Sequence, residues 1–156
     1  MEPTRRQDDE WRTWRIFFAA NRLLLERVER QLQSEAQMSH VHYEILVNLS
    51  EAPEHTLRMN RLAERSLCSR SRLTHAVDRL EKAGWVRRIA CPTDGRGSFA
   101  ELTDTGLNAL ETATPGHIAA VRSLFFQVLT PHQQESLREI GEAIVAHLTS
   151  GPMSPP

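Results

Sequence analysis

Residues 62–106, LAERSLCSRSRLTHAVDRLEKAGWVRRIACPTDGRGSFAELTDTG, contain the succession of elements that decides the fold. Ser69 precedes a helix predicted over residues 70–83, since a serine at the N-cap accepts a hydrogen bond from a free backbone N–H of the first turn. Gly84 is placed to end that helix at its C′ position. The pattern then changes, because WVRRIAC and SFAEL are runs typical of strands, separated by the turn segment PTDGRG. The stretch therefore predicts a helix followed by a two-stranded hairpin.

A shorter helix is predicted immediately upstream, over residues 59–66, and the segment SLCS joins it to the helix at 70–83. Two helices joined by so short a turn are typical of a helix-turn-helix, whose second helix is the recognition helix. Ser39 is the predicted N-cap of a further helix over residues 40–51, which the segment EAPEH ends. The hairpin after the recognition helix then occupies the position of a wing.

The predicted recognition helix has two faces of different chemistry. Its apolar face consists of Leu73, Ala76, Val77 and Leu80, which recur at helical spacing. The opposite face is polar and consists of Ser71, Arg72, His75, Asp78, Arg79 and Lys82. The spacing predicts that one face packs on the core and that the other faces a partner or solvent.

Residues 8–34 predict one long helix with a heptad seam and a single polar seam position. The seam residues are Trp11, Trp14, Phe18, Asn21, Leu25, Val28 and Leu32. So broad an apolar face must be buried, either on the C-terminal helices of the same chain or on another subunit.

Two further helices are predicted after the hairpin. Thr103 is the N-cap of the first, in which Pro115 and Gly116 predict a kink or a break. Thr130 begins the last helix with a capping box, and this helix is expected to extend to about Leu148.

Composition excludes several classes of protein. Charged residues make up 25% and hydrophobic residues 40% of the 156, which is ordinary for a globular protein. No signal peptide or long apolar span is visible, so we expect a cytoplasmic protein that does not enter a membrane. No phosphate loop, nucleophile elbow or metal-ligand spacing occurs, and Cys68 and Cys91 form neither a disulfide framework nor a metal pair. We therefore expect no enzyme, no metal and no cofactor.

The net charge of −1 conceals a basic middle segment. Residues 58–96 contain ten basic and four acidic residues, a net charge of +6, whereas the rest of the chain carries −7. This excess falls on the predicted helix-turn-helix and wing, which is the distribution expected of a protein that binds double-stranded DNA. The alternative is a winged-helix module that binds another protein.

The same residues resemble the multiple antibiotic resistance regulator (MarR) family. The resemblance rests on a series of short motifs in order and spacing: Leu62-Ala63, Ser69 with Ser71, Asp78-Arg79-Leu80-Glu81 with Gly84, Arg88, Asp94-Gly95-Arg96, and Leu102-Thr103 with Gly106. It covers about 45 residues by motif, and the order of the flanking helices extends it to most of the chain.

The resemblance implies a mostly α fold, with a winged helix-turn-helix, a two-stranded β wing, and N- and C-terminal dimerisation helices. Residues 39–102 would form the DNA-binding region, and residues 8–38 and 103–149 the dimerisation region, before a disordered tail at 150–156. It further implies a homodimer that binds a pseudo-palindromic operator, and we expect a repressor released by a small aromatic or phenolic ligand.

The expected DNA contacts lie on the recognition helix and the wing. The recognition helix would meet the major groove. Arg88 would brace the wing or meet phosphate. By the resemblance, Arg96 at the wing tip would enter the minor groove, where Asp94 holds its guanidinium or a nearby backbone N–H. The predicted set is Arg70, Ser71, Arg72, Thr74, His75, Arg79, Arg88, Asp94 and Arg96.

The signal that such a regulator senses is predicted less directly. A ligand pocket would contain aromatic and polar residues where the dimerisation helices meet the winged region, and the candidates are Trp14, Phe18, His40, His42 and Tyr43. The alternative is a redox-sensing repressor that uses Cys68, whose pKa the helix dipole and Arg70 would lower.

Overall fold

The computed structural model describes residues 2–90 and 97–150, with side chains from residue 6 onward. Within these residues the chain forms six α-helices and three strands, with short 3₁₀ turns at Pro53–His55 and Phe126–Val128. The helices are α1 (Glu2–Ala36), α2 (His40–Ser50), α3 (Met59–Arg65), α4 (Arg70–Lys82), α5 (Asp104–Leu124) and α6 (Pro131–Thr149). The strands are β1 (Thr56–Arg58), β2 (Val86–Ala90) and β3 (Ser98–Leu102). Residues 91–96, which include most of the predicted turn at 92–97, and residues 151–156 of the predicted tail lie outside the described residues.

The helix starts agree with the capping residues predicted from the sequence. Ser39 and Ser69 each accept a hydrogen bond from the backbone N–H three residues on, at 3.2 and 3.3 Å. Thr103 does the same at the start of α5, at 3.0 Å. Thr130 and Gln133 form the reciprocal capping box that begins α6. These side chains satisfy backbone donors that no helical turn can reach.

A small antiparallel sheet packs beside the helix-turn-helix, in the strand order β1-β3-β2. The predicted hairpin is confirmed, with Val86 opposite Leu102 and Ala90 opposite Ser98. The third strand, β1, was not predicted. It pairs with β3 through Leu57, which lies opposite Ala100.

The core of the chain fixes the position of α4. Leu73, Val77 and Leu80 are buried to 1% exposure or less, as the apolar spacing of this helix predicted. They belong to one cluster with residues of α1, α2, α3, the sheet and α5. Because each fully buried side chain of this size contributes about 1.5–3 kcal/mol, the inner face of α4 is held firmly while its outer face stays free.

Of the kink or break predicted in the fifth helix, the break does not occur. α5 continues from Asp104 to Leu124 with Pro115 inside it. Proline removes one backbone donor, but α5 packs along α1, and Gly116 lies so close to Glu35 that a Cβ would overlap its carboxylate. The interhelical contact therefore keeps the helix continuous across Pro115.

Large apolar side chains are exposed on the helices that flank the winged region. Every residue of α1 from 6 to 23 is exposed, and no residue of α6 is buried. The exposed apolar side chains of the two helices are Trp11, Trp14, Ile16, Phe17, Phe18, Leu23 and Leu25 of α1 and Ile140, Ile144, Val145 and Leu148 of α6. An apolar surface of this extent is typical of a protein–protein interface.

The end of α4 and the start of α5 are joined at one close contact beside the hairpin. The Thr103 hydroxyl donates to the carbonyl of Gly84 at 2.7 Å, and the Thr103 backbone N–H donates to the carbonyl of Trp85 at 3.1 Å. Gly106, in the first turn of α5, lies directly against the Trp85 carbonyl. A Cβ at this position would also approach Leu102 Cδ1 to 2.8 Å.

We predict that Gly106→Ala destabilises the fold by about 1–3 kcal/mol, because its methyl group overlaps a backbone carbonyl that cannot move without displacing the hairpin. The measurement is the urea midpoint of unfolding. The matched control is Thr105→Ala in the same turn, which is exposed and should change stability by less than about 0.5 kcal/mol. Equal stability of the two variants would contradict the prediction.

Candidate nucleic-acid interface

The outer face of α4 is a continuous exposed polar surface. Six of the predicted DNA contacts lie on this helix, and all six are exposed: Arg70, Ser71, Arg72, Thr74, His75 and Arg79. The Thr74 hydroxyl donates to the carbonyl of Arg70 at 2.8 Å, so that hydroxyl is held by its own helix. The guanidinium and imidazole groups can donate hydrogen bonds to phosphate oxygens and to the acceptors of guanine and adenine in a major groove.

Arg88 of β2 braces the wing against the recognition helix. Its guanidinium forms ion pairs with Asp78 and with Glu81, the latter at 3.1 Å, and donates to the carbonyl of Thr74 at 3.0 Å. Its backbone N–H also donates to Glu81, at 2.9 Å. Of the two roles predicted for Arg88, the contacts favour the brace over a phosphate contact.

The remaining basic residues of the wing are placed differently. Arg87 pairs with Glu101 across the hairpin and remains mostly exposed, and the Arg58 guanidinium lies 5.2 Å from the centre of the Phe99 ring. Asp94 and Arg96, the predicted wing-tip contacts, lie outside the described residues. Their role in the minor groove therefore remains a prediction from the sequence.

The sequence predicted a lowered pKa for the Cys68 thiol, and the structure indicates a raised one. Cys68 is partly buried, and burial raises the pKa of its thiol, because the thiolate loses hydration. The guanidinium of Arg72, rather than that of Arg70, opposes this effect but is the smaller influence. A thiol with a raised pKa is a poor nucleophile at neutral pH, so the structure gives the redox alternative no support.

A second group of polar and aromatic residues lies where α1, α2 and α5 meet. The ring of Tyr43 lies 4.3 Å from the ring of His117, centre to centre, and the ring of His40 lies 5.9 Å from it. The Tyr43 hydroxyl is 3.3 Å from the hydroxyl of Thr114, and Glu29 accepts the backbone N–H of His40 at 2.7 Å. We call Tyr43, His40 and His117 the α2–α5 cluster.

His117 was not predicted as part of this group. It lies 74 positions from Tyr43, and no local pattern around it indicates their contact. Burial lowers the pKa of His117, and the nearby His40 adds to the effect. The buried Nδ1 of His117 has no hydrogen-bond partner among the described residues.

The other predicted ligand residues do not join the α2–α5 cluster within this chain. Trp14 and Phe18 stack on each other in the exposed half of α1, with ring centres 5.6 Å apart. At about 1.5 Å of rise per residue, Trp14 lies roughly 22 Å along α1 from Glu29. Burial and the positive charge of Arg79 lower the pKa of His42, so this imidazole is associated with the recognition helix.

Among residues 2–90 and 97–150, no helix combines the length and the apolar character needed to cross a bilayer. In the same residues no three histidine, cysteine, aspartate or glutamate side chains are grouped closely enough to ligate a metal ion.

The architecture is that of a winged helix-turn-helix protein with long flanking helices, and comparison with known proteins gives its family. The MarR family profile matches residues 38–98. The structure of Sco3205, a MarR family transcriptional regulator from Streptomyces coelicolor solved in complex with DNA, superposes with a TM-score of 0.88 at 50% identity, over 90% of this chain and 88% of that one. The chain belongs to the MarR family of transcriptional regulators.

Two more relatives agree with this placement. The MarR family regulator AbsC from Streptomyces coelicolor superposes with a TM-score of 0.87 at 40% identity, over 92% of this chain and 97% of that chain. The transcriptional regulator PecS from Dickeya dadantii is 28% identical over 133 residues, which are 82% of this chain and 77% of PecS. The resemblance found in the sequence motifs is thereby confirmed.

We predict that Arg88→Met destabilises the fold by about 1 kcal/mol, because the partly buried carboxylates of Asp78 and Glu81 lose their shared cation. Methionine keeps much of the apolar stem. The control is Arg87→Met, which breaks a more exposed pair on the same strand and should cost less than about 0.5 kcal/mol. Denaturant midpoints compare the two, and a larger loss for Arg87→Met would show that Arg88 is not the brace.

Proposed function

We propose that this protein is a cytoplasmic, homodimeric, sequence-specific DNA-binding repressor whose release from DNA is triggered by a small aromatic or phenolic ligand. The observation that carries the DNA-binding part is the exposed face of α4, where arginines and a histidine stand on a helix whose other face is buried. Residues 58–90 carry nine basic and three acidic side chains, a net charge of +6, which attracts a polyanion. The relative Sco3205, which is 50% identical, was crystallised with DNA.

Base contacts are assigned to the first two turns of α4. Ser71, Arg72, Thr74 and His75 face the major groove, while Arg70 and Arg79 meet the phosphates on either side. Asp94 and Arg96 belong to the wing tip, and Arg96 is assigned to the minor groove. Arg88 contributes by holding β2 against α4, so its effect on DNA binding is indirect.

Dimer formation is supported by the apolar surfaces of the flanking helices. The exposed half of α1 and residues 140–148 of α6 present large apolar side chains that the same chain leaves exposed. If two copies of the chain associate through these helices, both apolar surfaces become buried. We therefore assign residues 8–38 and 103–149 to dimerisation. Two recognition helices related by a twofold axis then read two half-sites about 10 bp apart.

We predict that selection from random DNA with the purified protein yields a pseudo-palindromic site. Arg72→Ala should weaken binding to that site roughly tenfold or more, because a base contact is lost in each half-site. Arg96→Ala should weaken binding and reduce its salt dependence, because the wing tip loses a cation. Fluorescence anisotropy at matched salt measures both effects.

The matched control is Arg138→Ala, which removes an arginine of α6 that pairs with Glu135. Because Arg138 lies on a helix assigned to dimerisation, size-exclusion chromatography first confirms that the variant has the oligomeric state of the wild type. Its affinity for DNA should then equal that of the wild type. Failure to select any DNA sequence would overturn the proposed function and would favour the alternative of a winged-helix module that binds another protein. Unchanged affinity of Arg96→Ala would remove only the wing contact.

The effector is assigned to the α2–α5 cluster. Imidazole and phenol rings meet at this site, and the buried Nδ1 of His117 has no hydrogen-bond partner among the described residues. An aromatic ring with one or two polar substituents matches such a mixed lining. His42 lies near Arg79 of the recognition helix and Glu29 of α1, so a ligand that shifts α2 would alter the DNA-binding face.

We predict that a compound from a panel of phenols and aromatic carboxylates raises the thermal unfolding midpoint, because a ligand that binds only the folded state stabilises it. The same compound should weaken binding to the selected DNA. His117→Gln should abolish both effects, whereas the exposed His132→Gln should retain them. A panel with no stabilising compound, or an effect that survives His117→Gln, would contradict this assignment.

A further inference from the structure

The turn between α3 and α4 contains an exposed apolar side chain, Leu67, that belongs neither to the core nor to the apolar surfaces of the flanking helices. Leu67 is 71% exposed, the highest exposure among the large exposed apolar residues of the described chain. All the others lie on α1, on α5 and the 3₁₀ turn after it, or on α6, where a second copy would cover them. Leu67 lies in the winged region, two residues before the N-cap of the recognition helix.

The backbone at Leu67 has a conformation that favours glycine. Its φ is +47°, in the left-handed region. The Cys68 N–H donates to the carbonyl of Ala63 and the Leu67 N–H to that of Glu64, both at 3.2 Å. These two bonds are the Schellman motif that ends a helix, in which the left-handed C′ residue is usually glycine because it has no Cβ.

The same protein contains the motif a second time, at the end of α4. There Trp85 and Gly84 donate to Leu80 and Glu81, at 2.9 Å each, and the C′ residue is glycine with a φ of +75°. Nothing lies within 4 Å of the position of a Cβ at Gly84. The motif that ends α4 has glycine at C′, whereas the one that leads into the recognition helix has an exposed leucine. Three other described residues that are not glycine also have positive φ, and all three are polar: Gln37, Glu54 and His55.

The surroundings of Leu67 indicate the chemistry of its partner. Arg65, Arg70 and Arg72 are close to Leu67 in the chain and are exposed. Because these cations surround Leu67, an apolar protein surface would be a poor partner for it. Double-stranded DNA offers a polyanionic backbone with one apolar group in its major groove, the C5 methyl of thymine. A leucine at the entry to the recognition helix can pack against that methyl group.

We propose that Leu67 is a specificity residue that contacts a thymine methyl in each half-site. The inference rests on the proposed DNA-binding function. Leu67 would be a base-contacting residue outside the recognition helix, and it would recognise thymine by an apolar contact rather than by a hydrogen bond.

The test combines two changes, one in the protein and one in the DNA. Leu67→Gly and Leu67→Asn both suit a left-handed residue and remove the apolar group, and deoxyuridine replaces each thymine of the selected site in turn, which removes only the methyl. The wild type should lose roughly fourfold in affinity per contacted methyl, or about fifteenfold when both half-sites are changed together. Both variants should bind the thymine and uracil sites equally.

The measurement is anisotropy at low salt, where weakened binding remains measurable. Leu67→Gly should also raise the thermal unfolding midpoint, because it relieves the positive φ. The matched control is Ala83→Gly, which removes an exposed methyl group at the opposite end of α4 and should keep the uracil penalty that depends on Leu67.

The outcomes separate this inference from the proposed function. If the wild type selects no DNA, both are wrong. If the wild type binds a selected site but shows no uracil penalty, or if the penalty is the same in the wild type and both Leu67 variants, DNA binding stands and the thymine contact is wrong. A lower unfolding midpoint for Leu67→Gly would contradict the strain on which the inference rests.

Discussion

The burial of one apolar face of α4 is the constraint on which the rest of the structure depends. Leu73, Val77 and Leu80 are fully enclosed, so the helix has one rotation about its axis that leaves no void. That rotation alone determines which side chains face outward. Two contacts then fix the position of α4 along its axis. They are the Ser69 cap at its start and the hydrogen bond from the Thr103 N–H to the Trp85 carbonyl beyond its end. The outer face contributes little to the core, so its side chains are available for contact with a partner.

Much of this arrangement could be predicted from the sequence because it is encoded locally. Caps act within three residues, and helical spacing identifies a buried face without knowledge of its partner. What was missed depends on distant contacts. β1 has only three residues and is defined by its pairing with β3, more than forty positions away. Pro115 indicated a kink or a break, but α5, which packs along α1, is not broken there.

The candidate sites also differ in how far they could be predicted from the sequence. The candidate DNA-binding face could be proposed from the sequence because its six residues lie on one helix, and all six are exposed. The role of Arg88 stayed open until its contacts with Asp78 and Glu81 were located. For Cys68 the sequence showed the nearby cations but not the burial, which has the larger influence on its pKa. His117 joins Tyr43 only through tertiary contact between α2 and α5.

The uneven packing of α1 has a consequence for how the protein folds. Its C-terminal part is anchored in the core through Val28 and Leu32, whereas residues 6–23 make up roughly 27 Å of helix with no buried side chain. Isolated helices of this length are marginal in water, since most helical stability comes from tertiary packing. The two parts of α1 therefore have different free energies of local opening. In a lone chain, amide hydrogens near Val28 therefore exchange more slowly than those near Trp14. If the proposed homodimer covers the exposed half of α1, exchange near Trp14 slows as the protein concentration rises.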